Sequence, residues 1–147
     1  VVVCTPHRAF VPFPTSFWLT CPWLVRFIGE IESGGGVGDL ERWIEGHTAH
    51  EWIPFNLDHQ KVRLALLPPV ALRFLRQFKI QVFERLRSGG VGGIRYGSEV
   101  RVKCVHLQTA SWLALRRHPG RKWLEAKGAG GDCGGSMRKI CAGCTEG

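Results

Sequence analysis

Six cysteines are the residues of this sequence best suited to chemistry, and two of them, Cys141 and Cys144, stand in a C-x-x-C. That spacing lets two thiolates reach one metal ion or form a redox pair. A closed zinc or iron–sulfur site takes about four ligands, so further donors would come from Cys4, Cys21, Cys104, Cys133, His7 and His106. A thioredoxin-like role would place the motif after a strand and at the head of a helix. Here it closes a glycine-rich tail, and catalysis by the pair is not expected.

Cys21 precedes Pro22, which suits the first position of a helix and makes Cys21 its N-cap. A thiol there meets the positive end of the helix dipole, which favours thiolate and makes a thiol enzyme with Cys21 as nucleophile one possible reading. Burial as a small apolar side chain is the other. Cys104 and His106 stand two apart, so on a regular helix they point in different directions and do not chelate together unless they precede its regular part. Ser16, Thr20 and the scattered histidines form no recognisable nucleophile–base–acid set, and His47, His50 and His59 are expected on or near helix surfaces. Neither glycine cluster, Gly34 to Gly38 or Gly89 to Gly93, matches a phosphate-binding pattern, so both are read as helix stops.

Charge offers a second chemistry. The formal net charge is +8, and from Arg101 onward 9 Lys and Arg face 3 Asp and Glu. A basic surface suits polyanions such as nucleic acid or polyphosphate. The candidate contacts are Arg73, Arg76, Lys79, Arg116 and Arg117, with the basic tail.

These residues need elements to position them. Val1 to Thr20 is rich in proline and aromatics and is expected to be extended. Leu24, Phe27, Ile28 and Ile31 then repeat at helical spacing up to the stop at Gly34 to Gly36. Asp39 is the expected cap of a second helix through Leu40, Trp43, Ile44 and His47. After a break at Pro54, a short helix is expected over Asp58 to Leu67.

The strongest pattern follows Pro68 and Pro69. Ala71, Phe74, Leu75, Phe78, Val82 and Leu86 share one face of a long helix, with the basic residues mostly elsewhere and Gly89 and Gly90 as its stop. Ser98 is the expected cap of a last helix carrying Val102, Val105, Thr109, Trp112 and Leu113, ending at His118 to Gly120. The fold class is therefore mostly α, a bundle of four to five helices over residues 1–123, with 124–147 as a flexible basic tail containing glycine and cysteine.

At 147 residues, 44% apolar and 22% charged, the chain suits one domain with a real core. The longest uncharged run, Ala9 to Val25, is interrupted by Pro12, Pro14 and Pro22, so no membrane association is expected. The opening VVVCTPHR lacks the form of an export signal, which leads to the expectation of a reducing, cytoplasmic setting with thiols or metal ligands rather than disulfides. The missing initiator Met suggests a fragment or a processed chain.

The segment from Phe13 to Pro22 (FPTSFWLTCP), with Gly89 to Arg95 (GGVGGIR) and Val102 to His106 (VKCVH), resembles a bacterial family known as domain of unknown function 501. The likeness spans about Cys4 to Lys122. It brings no established activity. It implies that Cys4, Cys21 and Cys104 fall at motif positions, that members often end in a further cysteine pair, and that these look like scattered ligands of one site. Members usually continue after the third motif with more histidine, where this chain has Leu107 to Trp112 (LQTASW). Neighbouring genes tend to encode a septum-formation protein and an exopolyphosphatase.

The leading expectation is a small protein binding zinc or an iron–sulfur cluster through Cys4, Cys21, Cys104, Cys141 and Cys144, with His106 and His7 as additional donors. The alternatives are the polyanion-binding module and the thiol enzyme.

Overall fold

The computed structural model describes residues 1–4, 6–8 and 11–130. The described residues among the first twenty are extended, as the prolines there demand. Two short antiparallel pairs order them: β1 (Val2–Val3) lies on β4 (Phe17–Trp18), and β2 (His7–Arg8) on β3 (Val11–Pro12). Most of the described residues after Cys21 are helical, so the mostly α expectation holds.

Helix α1 (Pro22–Ser33) begins where Cys21 and Pro22 predict, with Leu24 and Ile28 buried, and stops at the glycine cluster. Gly35 takes φ +88°, a left-handed link that glycine adopts without strain. Helix α2 (Gly36–His47) starts directly after it, so Asp39 is in its first turn rather than at its cap. The carboxylate still faces the positive end of the dipole.

Helix α3 (Ala49–Ala65) carries Pro54 inside it, which corrects the expected break. The proline ring faces solvent, while Trp52, Phe55, Asn56, His59 and Arg63 bury one stripe along the whole helix. Packing along that stripe outweighs one lost backbone bond.

The long helix expected after Pro69 is also corrected. It is two, α4 (Pro69–Phe78) and α5 (Ile80–Ser88), divided at Lys79, whose φ −136° and ψ 52° are not helical. The break folds α4 against α5, so that Leu75 and Leu86 meet Leu67 in a small cluster of their own. Phe78 leaves the expected stripe and is 62% exposed.

A 3-10 turn (Val91–Gly93) leads to an extended stretch that buries Val100 and Val102, and helix α6 (Val105–Leu115) begins at Cys104 rather than at Ser98. Two carboxylates fix that start. Glu41 of α2 accepts the Val102 N–H at 2.6 Å, and Glu32 of α1 accepts the His106 N–H at 3.1 Å. Helix α6 is buried on nearly every side, with Val105 and Leu107 through Trp112 all enclosed, and forms the centre of the main core with α1, α2 and α3.

Helix α7 (Arg121–Ala126) crosses the expected boundary at residues 123 and 124. Leu124 and Ala129 are fully buried in the main core, so the packed part reaches at least Ala129. Among the described residues no helix is long and apolar enough to cross a membrane.

Candidate functional site

Arg63 is the unexpected side chain. It has no measurable exposure and no carboxylate partner among the described residues, although a buried charge is costly unless its donors are met. Backbone carbonyls meet them. Its Nε–H donates to the Pro14 carbonyl at 2.9 Å, Nη1 donates to Leu86 at 2.8 Å and Gly89 at 2.6 Å, and Nη2 donates to Gly90 at 2.6 Å. Burial draws the guanidinium down to about 10, and nearby Tyr96 acts to raise it, so it stays charged at neutral pH.

This fork ties three segments together: the Pro14 strand connection, the end of α5 and the glycine loop. Asn56 extends the clamp, donating from Nδ2 to the Trp52 carbonyl at 2.9 Å and accepting the Val91 N–H on Oδ1 at 3.0 Å. The glycines are there for contact. A Cβ on Gly90 would overlap Asn56 Oδ1, and one on Gly93, which sits at φ +80°, would overlap the Pro14 ring. Two of the segments that carry the family resemblance therefore meet face to face.

Where they meet they leave a cleft of about 550 Å³. Pro12 and Pro14 form one wall, Ser88, Gly89 and Gly93 another, and Arg85, Arg95 and Tyr96 complete it. Arg85 and Arg95 are exposed, and no carboxylate lines the cleft among the described residues. The nearest acid in sequence, Glu84, is held by Arg87 at 2.7 Å. Tyr96 Oη accepts from Gln60 Nε2 at 2.6 Å, leaving its own O–H to donate. Burial raises the Tyr96 phenol while Arg63 opposes that shift, and a neutral phenol keeps its proton for a ligand. Two guanidinium forks, a phenol and a buried third cation suit an anion with several oxygens.

A second buried polar group lies between α3 and α6. His118 accepts the Gly120 N–H on Nδ1 at 2.8 Å, and its Nε2 meets Gln108 Oε1 at 2.7 Å. His59 packs edge-on against Phe17 and Phe55. Burial lowers both imidazoles, His59 to about 4 with help from Arg63 and His118 to about 3 with help from His59. The expectation that His59 is a surface residue is thus corrected, because the buried stripe of α3 runs through it.

Cys21 and Cys104 head α1 and α6, two helices that pack on each other, and both thiols border the main core. Burial pushes the Cys104 thiol up, away from thiolate, and Glu32 adds to that effect. His106 is drawn to α1, its Nε2 at 2.9 Å from the Val25 carbonyl and its Nδ1 at 3.0 Å from Glu32 Oε1. Cys4 is half-buried, and its N–H donates to the Ser16 carbonyl at 2.9 Å. Among the described residues no three His, Cys, Asp or Glu side chains converge where they could hold a metal ion. Cys133, Cys141 and Cys144 lie outside the described residues, as does the His7 side chain.

The basic residues named from sequence divide between two places. Arg73 and Arg76 border a hollow on α4, next to Lys79, while Arg116 and Arg117 border another between α6 and α7. Arg85 and Arg95 were not singled out. Arg95 closes the glycine motif, the one sequence sign that pointed to it.

A family model described as a protein of unknown function (DUF501) matches residues 1–125. No curated protein and no solved structure matches the chain.

Proposed function

We propose, for a chain that belongs to the DUF501 family of proteins of unknown function, that the cleft between Pro14 and Arg95 binds a phosphate-bearing anion. The observation that carries this reading is the pair Arg85 and Arg95, exposed on a cleft that no carboxylate lines among the described residues, beside the buried charge of Arg63. Each charge-assisted bidentate contact is stronger than a neutral hydrogen bond, and arginine forks match phosphate geometry. The glycine loop adds approachable backbone, and Tyr96 adds a donor.

Calorimetric titration of the full chain with pyrophosphate and tripolyphosphate tests this. Binding that falls at least tenfold in the Arg85→Gln, Arg95→Gln double variant, with the fold unchanged by circular dichroism, supports the reading. Equal affinity in the double variant sinks it.

A second reading rests on a different observation, the placement of Cys21 and Cys104 at the heads of two packed helices. In it, zinc or an iron–sulfur cluster is held by Cys21 and Cys104 with Cys141 and Cys144, because Cys4 does not converge with the first two on one metal position. Metal analysis of anaerobically purified protein decides it: stoichiometric metal lost in a Cys21→Ser variant supports this reading, and metal-free protein with reactive thiols overturns it.

A further inference from the structure

Helix α6 ends on Arg116 at φ 57°, the one described non-glycine residue in the left-handed region. Glycine is the usual occupant of that position because it takes the conformation without strain. An arginine held there is a strained choice, and strain of this kind tends to mark function. The Arg116 side chain borders a cleft of about 460 Å³ at the α6–α7 junction, on the side of the protein formed by α2 and the start of α3.

Among the described residues four Arg and Lys side chains border that cleft. Arg117 is paired with Asp58, and Arg121 with Glu125 at 2.6 Å, which leaves Arg116 and Lys122 without a carboxylate among the described residues. The opposite wall is aromatic. Trp43 and His47 stack with centroids 4.6 Å apart and planes 10° from parallel, and His47 Nδ1 lies 2.8 Å from the Trp43 carbonyl, which fixes the ring. Trp43 is half-buried against the core, while His47 is exposed. Glu51 also lines the wall. A carboxylate is unwelcome to a bare polyanion, but it is an acceptor that the amino group of a nucleobase can use.

We infer that this cleft is a second binding site, for a nucleotide unit, with the base against the His47–Trp43 stack and the phosphate on Arg116 and Lys122. The combination of a stacking platform with unpaired cations is the chemistry of nucleotide and single-strand recognition. The volume falls within the range of small-molecule sites. The site is separate from the Arg85–Arg95 cleft and does not depend on it.

The test uses the full chain, with adenosine monophosphate and an oligoadenylate of eight nucleotides as probes and tripolyphosphate as competitor. Arg116→Gly suits the backbone at that position, so the Arg116→Gly, Lys122→Gln variant is expected to keep its melting temperature and lose at least tenfold in affinity. His47→Ala is expected to weaken adenosine monophosphate at least threefold. The same losses are expected in the Arg85→Gln, Arg95→Gln background, where the first cleft no longer competes for the phosphate. Comparable affinity for the monophosphate and the oligomer assigns the site to free nucleotides, and binding of the oligomer alone assigns it to single strands. Either result with the variant losses upholds the proposal. Unchanged binding in the Arg116→Gly, Lys122→Gln variant, no binding of either probe, or full displacement by tripolyphosphate overturns it.

Discussion

His118 and Gln108 face each other across 2.7 Å inside the protein, and the Gly120 N–H fixes what that contact must be. With Nδ1 accepting from Gly120, the ring proton sits on Nε2 and donates to Gln108 Oε1, so this imidazole is neutral. Protonating it would break the Gly120 bond inside the core. His59, close enough to act on His118, shares the interior with Arg63 and is held neutral as well.

The pH dependence follows. Both folded values, about 4 and about 3, lie below the ordinary 6.5, so the unfolded chain takes up protons first as the pH falls. Their contribution is complete above 6.5 and is lost progressively below it, by up to about 1.4 kcal/mol per pH unit for each proton. Urea denaturation at several pH values between neutrality and 5 is expected to show this decline, and the two ring resonances are expected to stay unshifted over the same range. A flat stability profile, or early titration of either ring, would contradict the burial of the pair.

Arg63 is expected to be indispensable to the fold. Arg63→Met strands the carbonyls of Leu86 and Gly89 in the interior and takes a partner from the half-buried Pro14 carbonyl and from that of Gly90, which keeps the Gly93 N–H. At about 1 kcal/mol or more for each unsatisfied buried group, the loss is about 2 kcal/mol or greater. Arg63→Lys is expected to fare little better, because one ammonium with three donors cannot span four carbonyls. Chemical denaturation measures both, and a loss under about 1 kcal/mol for the lysine variant would show that the fork geometry is dispensable.

The glycine loop separates contact from conformation. Gly93→Ala meets the Pro14 ring and a φ of +80°, whereas Gly97→Ala meets nothing within 4 Å. The first is expected to destabilise the protein by about 2 kcal/mol and to weaken anion binding at the adjoining cleft. The second is expected to be neutral. Equal melting temperatures for the two variants would mean that the loop does not press on Pro14.

Much of the fold was legible because its signals are local. Pro22 after Cys21 marks the start of α1, and the glycines after Ser33 and Ser88 mark the ends of α1 and α5. The division at Lys79 was not legible, since Phe78, Lys79 and Ile80 contain neither glycine nor proline and the helical period runs on through them. Only packing of Leu75 and Leu86 on Leu67 requires the bend. The cleft proposed to bind anions was hidden for a related reason. Arg63 and Arg85 read as polar faces of helices, and the partners of Arg63 are backbone carbonyls, which every residue has and no sequence advertises.

Truncation places the end of the packed core. The chain cut after Gly130 retains Leu124 and Ala129, whereas the chain cut after Trp123 loses both from the main cluster. A fully buried leucine is worth about 2 to 5 kcal/mol on removal, so the shorter form is expected to melt well below the longer one. Equal melting temperatures would put α7 outside the core.

Thr109 supplies the sharpest test of the interior of α6. The residue is fully buried, and its Oγ1 has no hydrogen-bond partner among the described residues. A buried hydroxyl left unpaired costs free energy, and an apolar group of the same shape removes that cost without opening a cavity. Thr109→Val is therefore expected to be neutral or to stabilise the protein by up to about 1 kcal/mol. Thr109→Ala, which also deletes a methyl group, is expected to destabilise it by about 1 kcal/mol. The two substitutions share the loss of the hydroxyl and differ in volume, so their contrast isolates packing from hydrogen bonding. Thermal melts of the two variants beside the parent give the answer. If valine costs as much as alanine, the hydroxyl is bonded in solution and the region around α6 is a satisfied polar network.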